Sequence, residues 1–262
     1  MFPVKYVFGR EPPPSPALAQ YCFTGVSTFK DSWVCALLLG EDTIAEAFAQ
    51  SLKMWITLSG GTQPATAGED EAVIHFRCGD VLSGIHNPRY GVPDLAWYAA
   101  QVPHSAKRVL IVGNFESSQS TANHRATDRR GDGRCKHLKR MLPEFITAKT
   151  GKPATVVDNG SATLDFIMLA TAPFMIGSVS TFSLAAAAVN GKGKSVLPAC
   201  QLFFTYAGAM KAVGFKRLSF VPFYHGLQSR SPLLVAGKDS AAAMHALAHA
   251  KGSWCGFPSV DC

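Results

Sequence analysis

At 262 residues the chain can form one large or two small domains, and 47% apolar against 16% charged residues excludes a disordered chain. Dispersed Gly and Pro exclude a collagen-like or low-complexity sequence, and no apolar run reaches the roughly 18 residues that span a bilayer. A net charge of +7 favours anionic partners in general, whether phosphates, nucleic acid, acidic glycans or a membrane surface.

The N-terminal stretch "REPPPSPALAQ" reads as an extended arm, and "MFPVKYVFGREPPPSP" lacks a signal peptide's apolar centre and small-residue cleavage site. Ile44, Phe48, Leu52 and Trp55 recur at steps of four, four and three, which predicts an amphipathic helix over 41–55. The Gly-, Pro- and Ser/Thr-rich loop 59–71 is the best linker candidate, and it divides a short N-terminal lobe (1–71) from a larger domain (72–262).

From residue 72 short apolar strands alternate with helices. Strands are expected at 72–76, 108–114, 154–158, 174–177 and 194–198. Helices are expected at 96–102, about 135–149, 161–172, 180–191 and, near the C-terminus, 240–252. Pro143 is expected to start or kink its helix. Strands apolar on both faces, separated by helices, predict parallel βαβ units and an α/β fold. Beyond residue 200 the pattern weakens.

Seven cysteines show neither a zinc spacing nor a C-x-x-C. Cys255 and Cys262 are spaced to close a small loop in an oxidising compartment, and the odd count leaves one thiol without an intramolecular partner. The basic stretch 125–140, "RATDRRGDGRCKHLKR", reads either as a solvated face or as a rim around an anion site. It lacks interleaved aromatics, and no nucleic-acid reader motif accompanies it.

Two stretches carry chemistry. In "VIHFRCGD" an apolar strand ends in His75, Phe76, Arg77, Cys78, Gly79 and Asp80. His75 and Arg77 share one strand face, and the guanidinium fork of Arg77 suits a phosphate. Asp80 either orients Arg77 or binds a sugar hydroxyl. The plainer alternative is a strand-end Arg–Asp pair beside a packed histidine. A cysteine-phosphatase loop needs Arg six positions after Cys78, where Gly84 stands, and a thiol nucleophile at Cys78 has no other support.

The second stretch, "FMIGSVSTFSLAAAAV", ends a strand at Gly177 and opens a helix on Ser180 and Thr181, with Phe182 and Ser183 following. Hydroxyls, unpaired backbone N–H groups and the helix dipole form a phosphate cradle, or simply an N-cap. Asp165 opens the preceding helix, as a helix-start acid or as a partner for a nucleoside.

These two motifs, in this order and spacing, resemble those of the fucosyltransferase superfamily with the GT-B fold. That group includes the α1,2-, α1,6- and protein O-fucosyltransferases. The resemblance covers about residues 72–198. It implies a GT-B-like α/β fold: a Rossmann-type parallel-sheet domain with a short or truncated N-terminal lobe.

It also implies a GDP-sugar donor, most often GDP-fucose, transferred with inversion to a glycan or protein hydroxyl without metal or other cofactor. Arg77 would contact the β-phosphate and His75 would line the same pocket. Ser180, Thr181, Phe182 and Ser183 would surround the phosphates, Asp165 would lie on the nucleoside side, and Asp80 is the candidate base. The partners expected are a GDP-sugar and a glycan or glycoprotein acceptor, with no nucleic acid and no membrane span.

Such an enzyme belongs in the Golgi or ER lumen if a targeting segment precedes this sequence, and otherwise in the cytoplasm. Cys78 stands where the superfamily commonly has a second Arg, and the lobe before the first motif is short. A degenerate GDP-sugar or glycan-binding protein is the alternative.

Overall fold

A computed structural model describes residues 41–58, 63–78, 92–113, 115, 132–199, 216–222 and 225–227. The chain divides into two compact units, Met1–Gln63 with Thr205–Lys216, and Pro64–Phe204 with Arg217–Cys262. In the first unit, helix α1 (Glu41–Leu58) carries Glu41 and Asp42 in its first turn, where the helix dipole favours negative charge. Glu41 accepts a hydrogen bond from the backbone N–H of Lys216, at 3.1 Å.

The second unit is built on a parallel sheet. Its strands are β1 (Glu71–His75), β3 (Arg108–Val112), β4 (Ala154–Val156), β5 (Phe174–Ile176), β6 (Lys194–Ala199) and β7 (Leu218–Pro222). They lie in the order β4-β3-β1-β5-β6-β7, and every neighbouring pair is parallel. Between them run α2 (Leu95–Gln101), α3 (Asp132–Thr150), α4 (Ala162–Thr171) and α5 (Thr181–Val189). A separate antiparallel pair joins β2 (Val92–Pro93) to β8 (His225–Leu227).

The α/β architecture with a parallel sheet is therefore the one the alternating pattern predicts. All five residues of β1 are buried, as a central strand covered on both faces requires. From β1 the chain steps outward through β3 to β4, then returns past β1 to β5 and proceeds to β6 and β7. Right-handed crossovers in opposite directions place α2 and α3 on one face and α4 and α5 on the other. Accordingly α2 packs with α3, and α4 with α5. The order is that of doubly wound dinucleotide-binding folds, and its direction reverses between β1 and β5.

Three differences from the sequence expectation have physical causes. Pro143 does not start a helix; α3 runs on both sides of it. Cys135, Leu138, Leu142 and Ile146 form a fully buried stripe across the proline, and that packing outweighs a cost of about 3 kcal/mol for proline inside a helix. Helix α5 stops at Asn190 rather than at the following Gly. The buried Asn190 amide donates to Ala172 O at 2.9 Å and Leu169 O at 3.4 Å, and its carbonyl accepts from Gly193 N at 2.8 Å. One side chain thus ties the end of α4 to the turn before β6.

Strand β7 has no counterpart in the expected elements. "LSFVP" alternates buried Leu218 with exposed Ser219 and ends in Pro222, a weak pattern suited to its place at the sheet edge. The arm at the N-terminus, the helix expected at 240–252, Cys255, Cys262 and residues 125–131 of the basic stretch lie outside the described residues. Among the described residues no helix is long and apolar enough to cross a membrane.

Candidate functional site

Ligands of open parallel sheets bind beyond the carboxyl ends of the strands, where the strand order reverses. Here that place lies between the ends of β1 and β5, and the two motifs occupy it. Parallel pairing sets Ile74 beside Ile176, so His75 arrives level with Gly177 and the loop that leads into α5.

His75 is buried, and its Nδ1 lies 2.6 Å from Ser183 Oγ and 3.0 Å from Ser178 Oγ. Ser183 Oγ also accepts the backbone N–H of Ser178, at 3.1 Å. The imidazole meets the Phe182 ring at 5.2 Å, and Phe182 meets Phe166 edge-on at 5.5 Å. The first motif is thereby joined to the second across the sheet.

Burial, helped by the Arg77 guanidinium, holds the His75 pKa down to about 3, so the ring is neutral at ordinary pH. An unfolded histidine takes up a proton below about pH 6.5, whereas folded His75 refuses it until about 3. The unfolded state therefore binds more protons in that window. The stabilisation is fully present above the window and is lost as pH falls through it. Denaturant titrations should show stability falling by at most about 1.4 kcal/mol per pH unit from this group, and His75→Gln should flatten the slope. An unchanged slope in that variant would contradict the buried neutral ring.

Arg77 follows the strand and is only partly buried; its Nη1 donates a long 3.5 Å hydrogen bond to Val179 O. The guanidinium thus reaches the loop between β5 and α5. That loop delivers Ser180 as N-cap, its hydroxyl accepting Phe182 N at 3.2 Å. The first helical bond runs from Leu184 N to Ser180 O at 3.0 Å. Among the described residues this leaves the partly exposed backbone N–H of Thr181 without an acceptor, two residues from the carbonyl that Arg77 reaches; the Ser183 N–H also lacks one but is wholly buried.

Gly177 sets how closely this helix start approaches the sheet. An alanine Cβ there would lie 2.9 Å from Ser183 Cβ and collide with Leu197 Cδ2. Gly177→Ala is expected to cost about 1–3 kcal/mol by overpacking. It should also weaken anion binding by displacing Ser183, which thermal unfolding and ligand titration would read separately.

Asp165 stands in the first turn of α4, whose N-cap Ser161 accepts Leu164 N at 3.2 Å. Its Oδ1 accepts from Asn159 Nδ2 at 3.0 Å. Burial pushes its carboxyl above the usual range; the Asn159 hydrogen bond opposes that shift and the neighbouring Asp158 charge adds to it. The next residue, Phe166, is the one that meets Phe182 and, through it, His75.

Cys78 is not a nucleophile: it forms a disulfide with Cys135, with the two Cα atoms 5.8 Å apart. Both residues are buried, and the bond ties the end of β1 to α3. Asp80 lies outside the described residues. Among the described residues no cluster of three or more His, Cys, Asp or Glu is spaced to hold a metal ion.

His75, Phe182 and Ser183 are thus in mutual contact, with Ser180 and Thr181 opening the same helix. Arg77 reaches the same loop. Among the described residues Asp165 bonds to Asn159 and makes no polar contact with this group. Ser183, however, is wholly buried and its hydroxyl is engaged by His75 and Ser178. Sequence reasoning did not single out Ser178, Asn159, Phe166 or Cys135, although Ser178 lies inside the second stretch and Cys135 inside the basic one.

No protein-family model matches the chain, and neither does any curated protein. Among solved structures it is similar to POFUT1 in complex with GDP, at 14% identity and a TM-score of 0.36, over 65% of this chain and 52% of that one. It is also similar to POFUT1 in complex with GDP-fucose, at 14% identity and a TM-score of 0.35, over 65% and 51%. The chain spans about half the length of these structures.

Proposed function

We propose that the second unit binds a GDP-sugar at the strand-order switch, and that the protein is an inverting, metal-independent glycosyltransferase of GT-B type, with GDP-fucose as donor and a glycan or glycoprotein hydroxyl as acceptor. One observation carries the reading. Two motifs like those of the fucosyltransferase superfamily, 103 residues apart at His75 and Ser178, meet side chain to side chain where a doubly wound sheet binds ligands.

In this reading Arg77 and the N–H groups that open α5 receive the diphosphate. The acceptor oxygen forms a bond to the sugar's anomeric carbon as the bond from that carbon to the β-phosphate oxygen breaks. The acceptor proton passes to a base, for which Asp80 is the candidate, and the electron pair leaves with GDP. Negative charge grows on the β-phosphate during departure, and a preorganised guanidinium with helix N–H donors stabilises it more in the transition state than in the ground state. Ser180, Thr181 and Phe182 line the phosphates, and Asp165 sits on the nucleoside side.

The buried Cys78–Cys135 disulfide favours an oxidising compartment such as the Golgi or ER lumen. The same bond motivates the second reading, a GDP-sugar or glycan-binding protein without turnover, because a disulfide cysteine occupies the place of the superfamily's common second arginine.

The test is an acceptor screen with GDP-fucose in excess chelator, following GDP release and glycan mass. Release that depends on acceptor supports the transferase. Binding of the donor without turnover on any acceptor supports the second reading.

A further inference from the structure

We infer that Ser183 and Ser178 fix His75 as the neutral tautomer protonated on Nε2, making Ser183 a positioning residue for that N–H rather than a phosphate ligand. The second half of the inference, that the Nε2–H donates to an oxygen of the bound diphosphate, rests on the function proposed above. The tautomer itself does not.

Ser178 and Ser183 are 2% and 0% exposed, so water offers their hydroxyls no acceptor. Ser183 Oγ already accepts a backbone N–H from Ser178, a donor that cannot be reversed. Its own proton has Nδ1 of His75 at 2.6 Å as the near acceptor. The Ser178 hydroxyl then has Nδ1 at 3.0 Å and Ser183 Oγ at 3.4 Å. With a lone pair on Nδ1, both hydroxyl protons find acceptors.

The other tautomer fares worse. A proton on Nδ1 must be donated to Ser183 Oγ at 2.6 Å or to Ser178 Oγ at 3.0 Å, and either way three protons share two oxygens, so one hydroxyl proton is left over. With Ser183 Oγ as the nearer acceptor, that oxygen accepts twice. The Ser183 proton is left with only the 3.4 Å contact to Ser178 Oγ, and the Ser178 proton has no acceptor among the described residues. A buried hydroxyl proton without an acceptor costs about 1–3 kcal/mol, enough to fix the tautomer. The hydrogen bond on one ring nitrogen thus decides what the other presents.

Nε2 has no partner among the described residues. Its ring stands at the end of β1, two residues before Arg77. A neutral ring with a fixed N–H suits an anion: it adds a donor without a second cation to desolvate. Only Nδ1 enters the hydroxyl cluster, which leaves the Nε2 edge for a ligand.

The test uses 15N-labelled histidine in the intact protein and reads both ring nitrogens by two-bond proton–nitrogen correlation. The expected spectrum of His75 without ligand has Nδ1 unprotonated and Nε2 protonated. Ser183→Ala should give a mixture of tautomers, whereas Ser178→Ala, which keeps the 2.6 Å contact, should retain the single form. Added GDP should then shift the Nε2 signal. With turnover as readout, Ser183→Ala should lower kcat/KM by roughly tenfold, short of the 100- to 1000-fold typical of deleting a donor outright.

A protonated Nδ1 in the wild-type protein overturns the inference, whatever GDP does. The wild-type spectrum also decides the matter if Ser183→Ala fails to fold. GDP binding that leaves Nε2 unmoved overturns the donor role while the tautomer stands. Failure of GDP to bind at all overturns the functional reading instead.

Discussion

If the proposed transfer is the reaction, Arg77→Ala is expected to lower kcat/KM for GDP-fucose by about 100- to 1000-fold, with the melting temperature little changed. The guanidinium is partly exposed, so its deletion opens to solvent rather than leaving a sealed cavity. What it removes is the permanent charge beside the N-terminus of α5. A nucleoside diphosphate leaving group gains charge as it departs, and a fixed cation in a water-poor site stabilises that gain without reorganising. Arg77→Lys should recover only part of the loss, because an ammonium keeps the charge but not the planar fork that grips two oxygens. A variant that loses both activity and its cooperative unfolding would place Arg77 among structural residues.

Removing the Cys78–Cys135 disulfide is the second change with a large expected effect. The bond closes a loop of sequence separation 57, for which chain-entropy arguments give about 4 kcal/mol of stabilisation. That is a large share of the roughly 5–15 kcal/mol by which native domains exceed their unfolded states. The double variant Cys78→Ala with Cys135→Ala avoids burying new hydroxyls and should unfold at correspondingly lower denaturant. Its effect should extend to the site, since Cys78 directly follows Arg77 and the bond anchors that turn to α3. A weaker affinity for GDP together with lower stability is the expected pair. Unchanged denaturant midpoints with and without reductant would contradict it.

Much of the sheet was legible because its signal is local. β1, β3, β5 and β6 are short, apolar runs buried in place, and the helices between them announce themselves by Ser161 and Ser180 as caps. The candidate site was legible where a strand end turned abruptly polar, at His75 and Arg77, and where hydroxyls opened a helix.

What stayed hidden depends on distance in the chain. Ser178 reads as an ordinary loop residue until the fold brings it to His75, 103 positions earlier. Cys78 and Cys135 have no spacing rule to link them. Pro143 does not start its helix because a buried stripe carries α3 on both sides of it, and that packing partner is invisible in the local sequence. β7 was missed because an edge strand needs only half its residues apolar.

Calorimetric titration of the intact protein with GDP, in excess chelator and beside Arg77→Ala, asks whether a diphosphate binds at this strand end. Metal-independent binding to the wild-type protein, lost in the variant, is expected. Absence of GDP binding to the wild-type protein, or equal binding by the variant, would contradict a diphosphate site at the junction of β1 and β5.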